Sequence, residues 1–327
     1  MSRPAMIAEP IEPMSDGELD EPFIAEPVPT REPAGLTARQ VLAGMRNRMD
    51  QLWAFDVEYD FLQKSFVGDE NLVPFGRYRE AFSREKRFKT QSGQHLADCP
   101  TVFFPAAIWA WSGSLQQDFQ ACDPSAYIKQ EKSDWVDRSF YLHSACLPTG
   151  SIEEELARSK VGCCNHTFVS DLFGPRQNWM VRPHCELVDE SPCYVLTDGD
   201  RCTFWIDPSL GFSPRLLENS TGKTINGRRQ TTNRTAFRDY TLVRDGFHVP
   251  WQLMTIGYDG SQDRGTRWGK EFSLITHKVR RLSINEDVDE DLFTLKYPAG
   301  TVVRDSAHTR FYRIGENDEE IKLGDWN

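Results

Sequence analysis

The most reactive side chains of this chain cluster in its middle third. Cys163-Cys164-Asn165-His166 and His184-Cys185 offer the thiols and imidazoles that bind zinc. A closed zinc site usually takes its ligands in pairs two to four residues apart, with side chains that converge. Here the paired cysteines are adjacent, so their side chains diverge in regular structure, and no Cys-Xaa-Xaa-Cys pair occurs. The spacing favours buried thiols or disulfides, and no metal ligand or cofactor is assigned. Nucleophilic catalysis by a Cys or Ser with a His partner needs only spatial proximity, so spacing leaves it open. The chain has no Gly-Xaa-Ser-Xaa-Gly elbow, no His-Glu-Xaa-Xaa-His pair and no phosphate loop; Gly222-Lys223-Thr224 lacks the first Walker glycine. Asp56, Glu58 and Asp60 alternate along one segment and so share a strand face. A solvated face explains them more simply than acid–base work, and no catalytic residue is assigned.

The cysteines are Cys99, Cys122, Cys146, Cys163, Cys164, Cys185, Cys193 and Cys202. Their even number permits disulfides, but in a chain of 327 residues buried free thiols account for them equally well. Cys193 and Cys202 flank Asp198-Gly199. A strict two-residue turn there sets Cys202 opposite Val195, so a Cys193–Cys202 bond requires a looser loop.

These groups must be carried by regular elements. Residues 1–34 are rich in Pro and Glu, and Ile7-Ala8-Glu9-Pro10 recurs as Ile24-Ala25-Glu26-Pro27. Such a composition reads as a disordered tail. A single domain is expected over 35–327, with the Cys-rich region of about 99–202 as an insertion or lid. Thr37 with Gln40 forms a capping box before Val41, Leu42, Met45, Met49 and Leu52, which recur at helical spacing. Next, Trp53, Phe55, Val57, Tyr59 and Phe61 alternate with Ala54, Asp56, Glu58 and Asp60, the pattern of a half-buried strand.

Further strands are expected over Tyr78–Lys89, Thr101–Trp111 and Ala126–Trp135, and a short helix over Ser151–Lys160. Asp198-Gly199 and Asp245-Gly246 mark hairpins, Glu271–Ile284 a long strand, and Leu292–Ile314 two or three short strands. The fold class is α+β: a large curved antiparallel sheet with an N-terminal helix and one or two further helices covering its concave side.

Composition restricts the ligand. The formal net charge of −11 repels phosphate backbones and argues against nucleic-acid binding. No run of ~18 apolar residues is present, so no transmembrane segment is expected. Met1–Pro13 lacks the basic and apolar regions of a secretory signal. A cytoplasmic place follows, or a periplasmic or cell-envelope one if an export signal lies upstream or has been removed. Aromatic residues make up 12% of the chain and concentrate in the expected strands. They either pack a core or line an apolar cavity.

Three stretches resemble the outer-membrane lipoprotein carrier-like (LolA/LolB-like) superfamily, especially divergent planctomycete-type members. They are Leu36–Phe61, the run Phe204-Trp205-Ile206-Asp207-Pro208-Ser209-Leu210-Gly211-Phe212-Ser213-Pro214-Arg215, and Asp291–Asp305. A later Gly-aromatic turn before a proline is matched by Gly246-Phe247-His248-Val249-Pro250. The resemblance implies an incomplete antiparallel barrel whose apolar concave side is plugged by helices and binds lipids or lipoprotein acyl chains without catalysis or cofactor.

The expected function is therefore non-enzymatic binding of a lipid, acyl chain or other apolar molecule, with Trp53, Phe55, Val57, Tyr59, Trp109, Trp111 and Phe204 lining the site. Two alternatives stand beside it. One is a scaffold with a filled core and a protein partner; the other is a hydrolase using a middle-region Cys or His.

Overall fold

The computed structural model describes residues 24–65, 75–83, 86–92, 107–120, 124–130, 173, 178–199, 201–225, 228–244, 247–258 and 271–325. The short helix expected over Ser151–Lys160 lies outside them. Order begins before the expected boundary, because Val28–Pro33 forms a strand, β1. Its prolines exclude it from a sheet interior but suit an edge, where a missing N–H faces outward. Thr30 secures it through its hydroxyl, which donates to the Cys185 carbonyl at 2.8 Å.

The helix α1, Ala38–Met49, starts where its cap residues place it. Gln40 donates its backbone N–H to Thr37 Oγ1, while Gln40 Oε1 accepts from the Thr37 backbone N–H at 2.9 Å. Val41, Met45 and Met49, four residues apart, form its buried stripe.

Strands follow in chain order. The first group is β2 (Ala54–Ser65), β3 (Phe75–Ser83), β4 (Lys86–Ser92), β5 (Ala107–Trp111), β6 (Gln116–Gln120) and β7 (Ser125–Lys129). The second is β8 (Met180–Val181), β9 (His184–Val188), β10 (Ser191–Thr197), β11 (Cys202–Asp207), β12 (Ser213–Ile225), β13 (Arg228–Arg244), β14 (Phe247–Tyr258) and β15 (Glu271–Ile284). The last is β16 (Val302–Asp305), β17 (Arg310–Ile314) and β18 (Glu320–Asp325). The ladder runs β1-β9-β10-β11-β12-β13-β14-β15-β2-β3-β4-β5-β6-β7-β16-β17-β18, with β8 also on β10. Every pairing in it is antiparallel except β7 with β16. The described sheet stays open, an incomplete barrel with β1 and β18 at its edges. The Cys-rich region of about 99–202 supplies β5 to β10 to this sheet.

Two connections depart from expectation. The turn after β10 is a five-residue loop, because Thr197 pairs with Thr203. Asp198 Oδ1 accepts from the backbone N–H of Arg201 at 2.8 Å and of Cys202 at 2.9 Å, which widens the turn. Near its start, Leu292-Phe293 belongs to a 3₁₀ turn over Glu290–Phe293, not a strand, since the Asp289 carboxylate caps it at the Asp291 N–H. At the expected Asp245-Gly246 hairpin, whose turn lies outside the described residues, β13 and β14 pair as far as Arg244 opposite Phe247, after a register shift between Leu242 and Arg244.

The face under α1 is termed inner and its opposite outer. Over β10–β15, β2 and β3 the inner face is apolar and packs on α1 through Phe55, Val57, Leu196, Phe204, Phe237 and Leu253. Over β4–β7 the inner face becomes mixed and the apolar packing lies on the outer face. Ala81 of β3 with Phe88 and Ala110 covers Phe293, and Phe119, Ala126 and Ile128 pack with Val303, Tyr312 and Ile314 on the outer face.

Candidate functional site

Cross-strand register carries the inner face from its apolar half into a mixed one. Phe55 lies opposite Phe82, Val57 opposite Glu80, and Tyr59 opposite Tyr78. On the next strand Arg87 opposes Phe82 and Lys89 opposes Glu80. Trp111 then opposes Arg87, and Trp109 opposes Lys89. Gln116 and Asp118 continue the same rows. Because opposed residues share a face, these side chains form one surface.

Its contacts are specific. Phe55 stacks on Phe82 at 5.9 Å between ring centroids, and Tyr59 on Tyr78 at 5.5 Å. Tyr59 donates its hydroxyl to Glu80 Oε1 at 2.8 Å, which places a carboxylate among aromatics. Burial, and then the Glu80 charge, push the Tyr78 phenol up to about 12. The Arg87 guanidinium lies 5.1 Å from the Phe82 ring centre and the Lys89 ammonium 5.8 Å from that of Trp109. Asp118 accepts from Gln116 Nε2 at 2.6 Å and lies 3.6 Å from Lys129; burial is the largest influence on its carboxyl and raises its pKa.

His277 faces the same surface from β15, opposite Phe61 and Leu253. Its ring meets Phe61 at 5.2 Å and Tyr59 at 5.5 Å. Its buried Nδ1 has no hydrogen-bond partner among the described residues, and desolvation holds the imidazole down to about 4.

The expected lining residues divide by position. Phe55, Val57, Tyr59 and Phe204 are buried within the cluster that packs on α1. Trp109 and Trp111 are half-buried on the mixed half. Trp53 is 46% exposed. It precedes β2 while the chain is still leaving α1, its N–H donating to Asn285 Oδ1 at 2.8 Å. Sequence reading missed Glu80, Arg87, Lys89, Gln116 and Asp118 on this face. Trp109 and Trp111, two apart, carried the periodic signal, but the face on which charge accumulates depends on register.

Outward, Asp56 and Asp60 are not a solvated row. Asp60 is fully buried, accepting from Arg77 Nε at 3.3 Å and from Arg280 Nε. Arg79 grips Asp56 through Nε at 2.9 Å and Nη2 at 2.8 Å, and Arg281 adds a third donor at 3.2 Å. Neighbouring strands supply these arginines, which a strand pattern alone does not reveal.

Among the described residues Cys185 and Cys193 are free thiols, and Cys193 is not joined to Cys202. Burial first, then the charge of Asp207, pushes Cys193 up to about 12. That shift opposes thiolate formation, which a nucleophile needs. Among the described residues no three His, Cys, Asp or Glu side chains converge as a metal site. Cys99, Cys122, Cys146, Cys163, Cys164 and His166 lie outside the described residues.

No family model matches the chain, and neither does any curated protein. Solved structures similar to it include a LolA superfamily protein from Nitrosomonas europaea, at 12% identity and a TM-score of 0.41, covering 80% of this chain and 99% of that one. A DUF1329 family protein from Desulfovibrio piger is similar at 11% identity and a TM-score of 0.42, covering 78% and 95% respectively.

Proposed function

We propose that the chain binds an apolar or amphipathic small molecule, such as a lipid or an acyl chain, on the inner face of its open sheet, without catalysis. One observation carries this reading: the inner face that α1 covers at Phe55, Val57, Tyr59 and Phe204 continues to Trp109 and Trp111, which are only half-buried. An acyl chain gains on the order of 25 cal/mol for each Å² of apolar surface it buries, less the ordering costs of binding. Half-buried Trp109 and Trp111 suit the polar end of such a molecule, since amphipathic rings favour a boundary between apolar and wet surroundings, while Arg87 and Lys89 behind them are buried. A lipoprotein acyl chain fits the same face, and a periplasmic or cell-envelope place would bring the two together.

Phe55 is a poor site for testing this, because it is packed against Phe82 and a charge there would unfold the chain. Trp109→Glu and Trp111→Glu change half-buried positions instead. Titration with a fluorescent fatty acid should show saturable binding to the wild type and at least tenfold weaker binding to each variant. Equal binding in all three contradicts the assignment of this face.

A scaffold reading is favoured by one feature: α1 already covers the apolar half with Val41, Met45 and Met49. It predicts no saturable binding of any fatty acid, and a protein partner in its place.

A further inference from the structure

The duplicated tetrapeptide of the N-terminal segment has a structural counterpart in its second copy. Ile24 is buried on the outer face among Val188, Val195, Trp205, Leu216 and Ala236. Two residues on, Glu26 places one carboxylate oxygen on Arg234 Nη1 and the other on Nη2, the latter at 3.0 Å. Arg234 is held for this by Glu218, which accepts from its Nε at 2.7 Å. Alternate residues of an extended chain face the same way, so Ile and Glu at this spacing reach an apolar hollow and a guanidinium together. Pro27 fixes the backbone just before β1.

The first copy presents the same groups in the same order. Met6-Ile7-Ala8-Glu9-Pro10-Ile11 aligns with Phe23-Ile24-Ala25-Glu26-Pro27-Val28, identical at the central four positions and apolar at both flanks. Ile7–Pro10 lies outside the described residues, but its chemistry is that of the segment already seated.

We propose that the outer-face hollow beside Arg234 is a docking site for an Ile-Ala-Glu-Pro peptide, and that Ile7–Pro10 of this chain is its second occupant. The second copy holds the site because it adjoins β1. Seating the first copy instead leaves residues 11–27 as a loop, and closure cost rises slowly with loop length. The two copies therefore exchange at one site, independently of any ligand on the inner face.

The test uses the full chain and a fluorescein-labelled peptide with the sequence of residues 5–12, followed by fluorescence anisotropy. Ile24→Ser with Glu26→Ser vacates the site; adding Ile7→Ser and Glu9→Ser disables both copies. The doubly disabled chain should bind the peptide at least tenfold more tightly than wild type. The chain keeping its first copy should bind at least threefold more weakly than the doubly disabled one, through internal competition. Arg234→Ala in the doubly disabled chain, or Glu9→Ala in the peptide, should each cost tenfold or more.

Circular dichroism checks the fold of each variant. If removing Ile24 unfolds the chain, Glu26→Ala alone, at a side chain 73% exposed, should bind at least threefold more tightly than wild type. Absence of saturable binding to a folded vacated chain overturns the proposal. So does binding indifferent to Arg234, or equal binding with and without the first copy.

Discussion

His277 shows what a single residue contributes to this face. Its imidazole is buried between Tyr59 and Phe61, and its pKa is held near 4, below the ordinary 6.5. The folded state thus binds this proton less readily than the unfolded state, so folding is favoured above about pH 6.5 and loses that advantage as pH falls towards 4. The loss is on the order of 3 kcal/mol. Denaturant titration at pH 7, 5.5 and 4.5 should show it, and His277→Phe should flatten the dependence across that window. An unchanged slope in the variant would show that another group carries the acid sensitivity. Gly44 is the second telling position. A Cβ there would stand 2.5 Å from the Phe212 ring, although alanine is the better helix former. Gly44→Ala should therefore destabilise the fold by about 1–3 kcal/mol. Phe212→Ala in the same chain should recover part of that loss, as read by thermal unfolding.

At the scale of elements, the parts governed by neighbours in sequence were the legible ones. The capping box set the start of α1, the alternation of Phe55, Val57 and Tyr59 set the face of β2, and Glu271–Ile284 emerged as one strand. Trp53 escaped because periodicity does not show where a strand begins, and Asn285, far along the chain, fixes that point. The outer ladder escaped for a similar reason: Arg77, Arg79, Arg280 and Arg281 meet Asp56 and Asp60 only after β3 and β15 flank β2. This ladder joins three strands through one buried carboxylate. Asp60→Ala should cost about 2–4 kcal/mol, below the extreme for a buried pair because Arg77 and Arg280 can reach water. Chemical denaturation of the variant measures it, and a cost below about 0.5 kcal/mol would place the ladder with ordinary surface pairs.

For the whole molecule, the decisive feature is that the inner face of the sheet changes along the ladder. Beneath α1 it is apolar, and over β4–β7 it is mixed, with the apolar packing there on the outer side under Phe293, Tyr312 and Ile314. The inner face is left with aromatic and charged groups next to an apolar half, which suits a molecule with two unlike ends. Aromatic content signalled such a surface, while its continuity from Phe55 to Trp111 depends on long-range register. The measurement that tests the account most directly is native mass spectrometry of the purified full chain, with organic extraction of whatever is released on denaturation. The account predicts a co-purifying mass in the lipid range, or one acquired on incubation with mixed lipids, and its loss in Trp109→Glu and Trp111→Glu. A bare protein mass that stays unchanged after that incubation would contradict it.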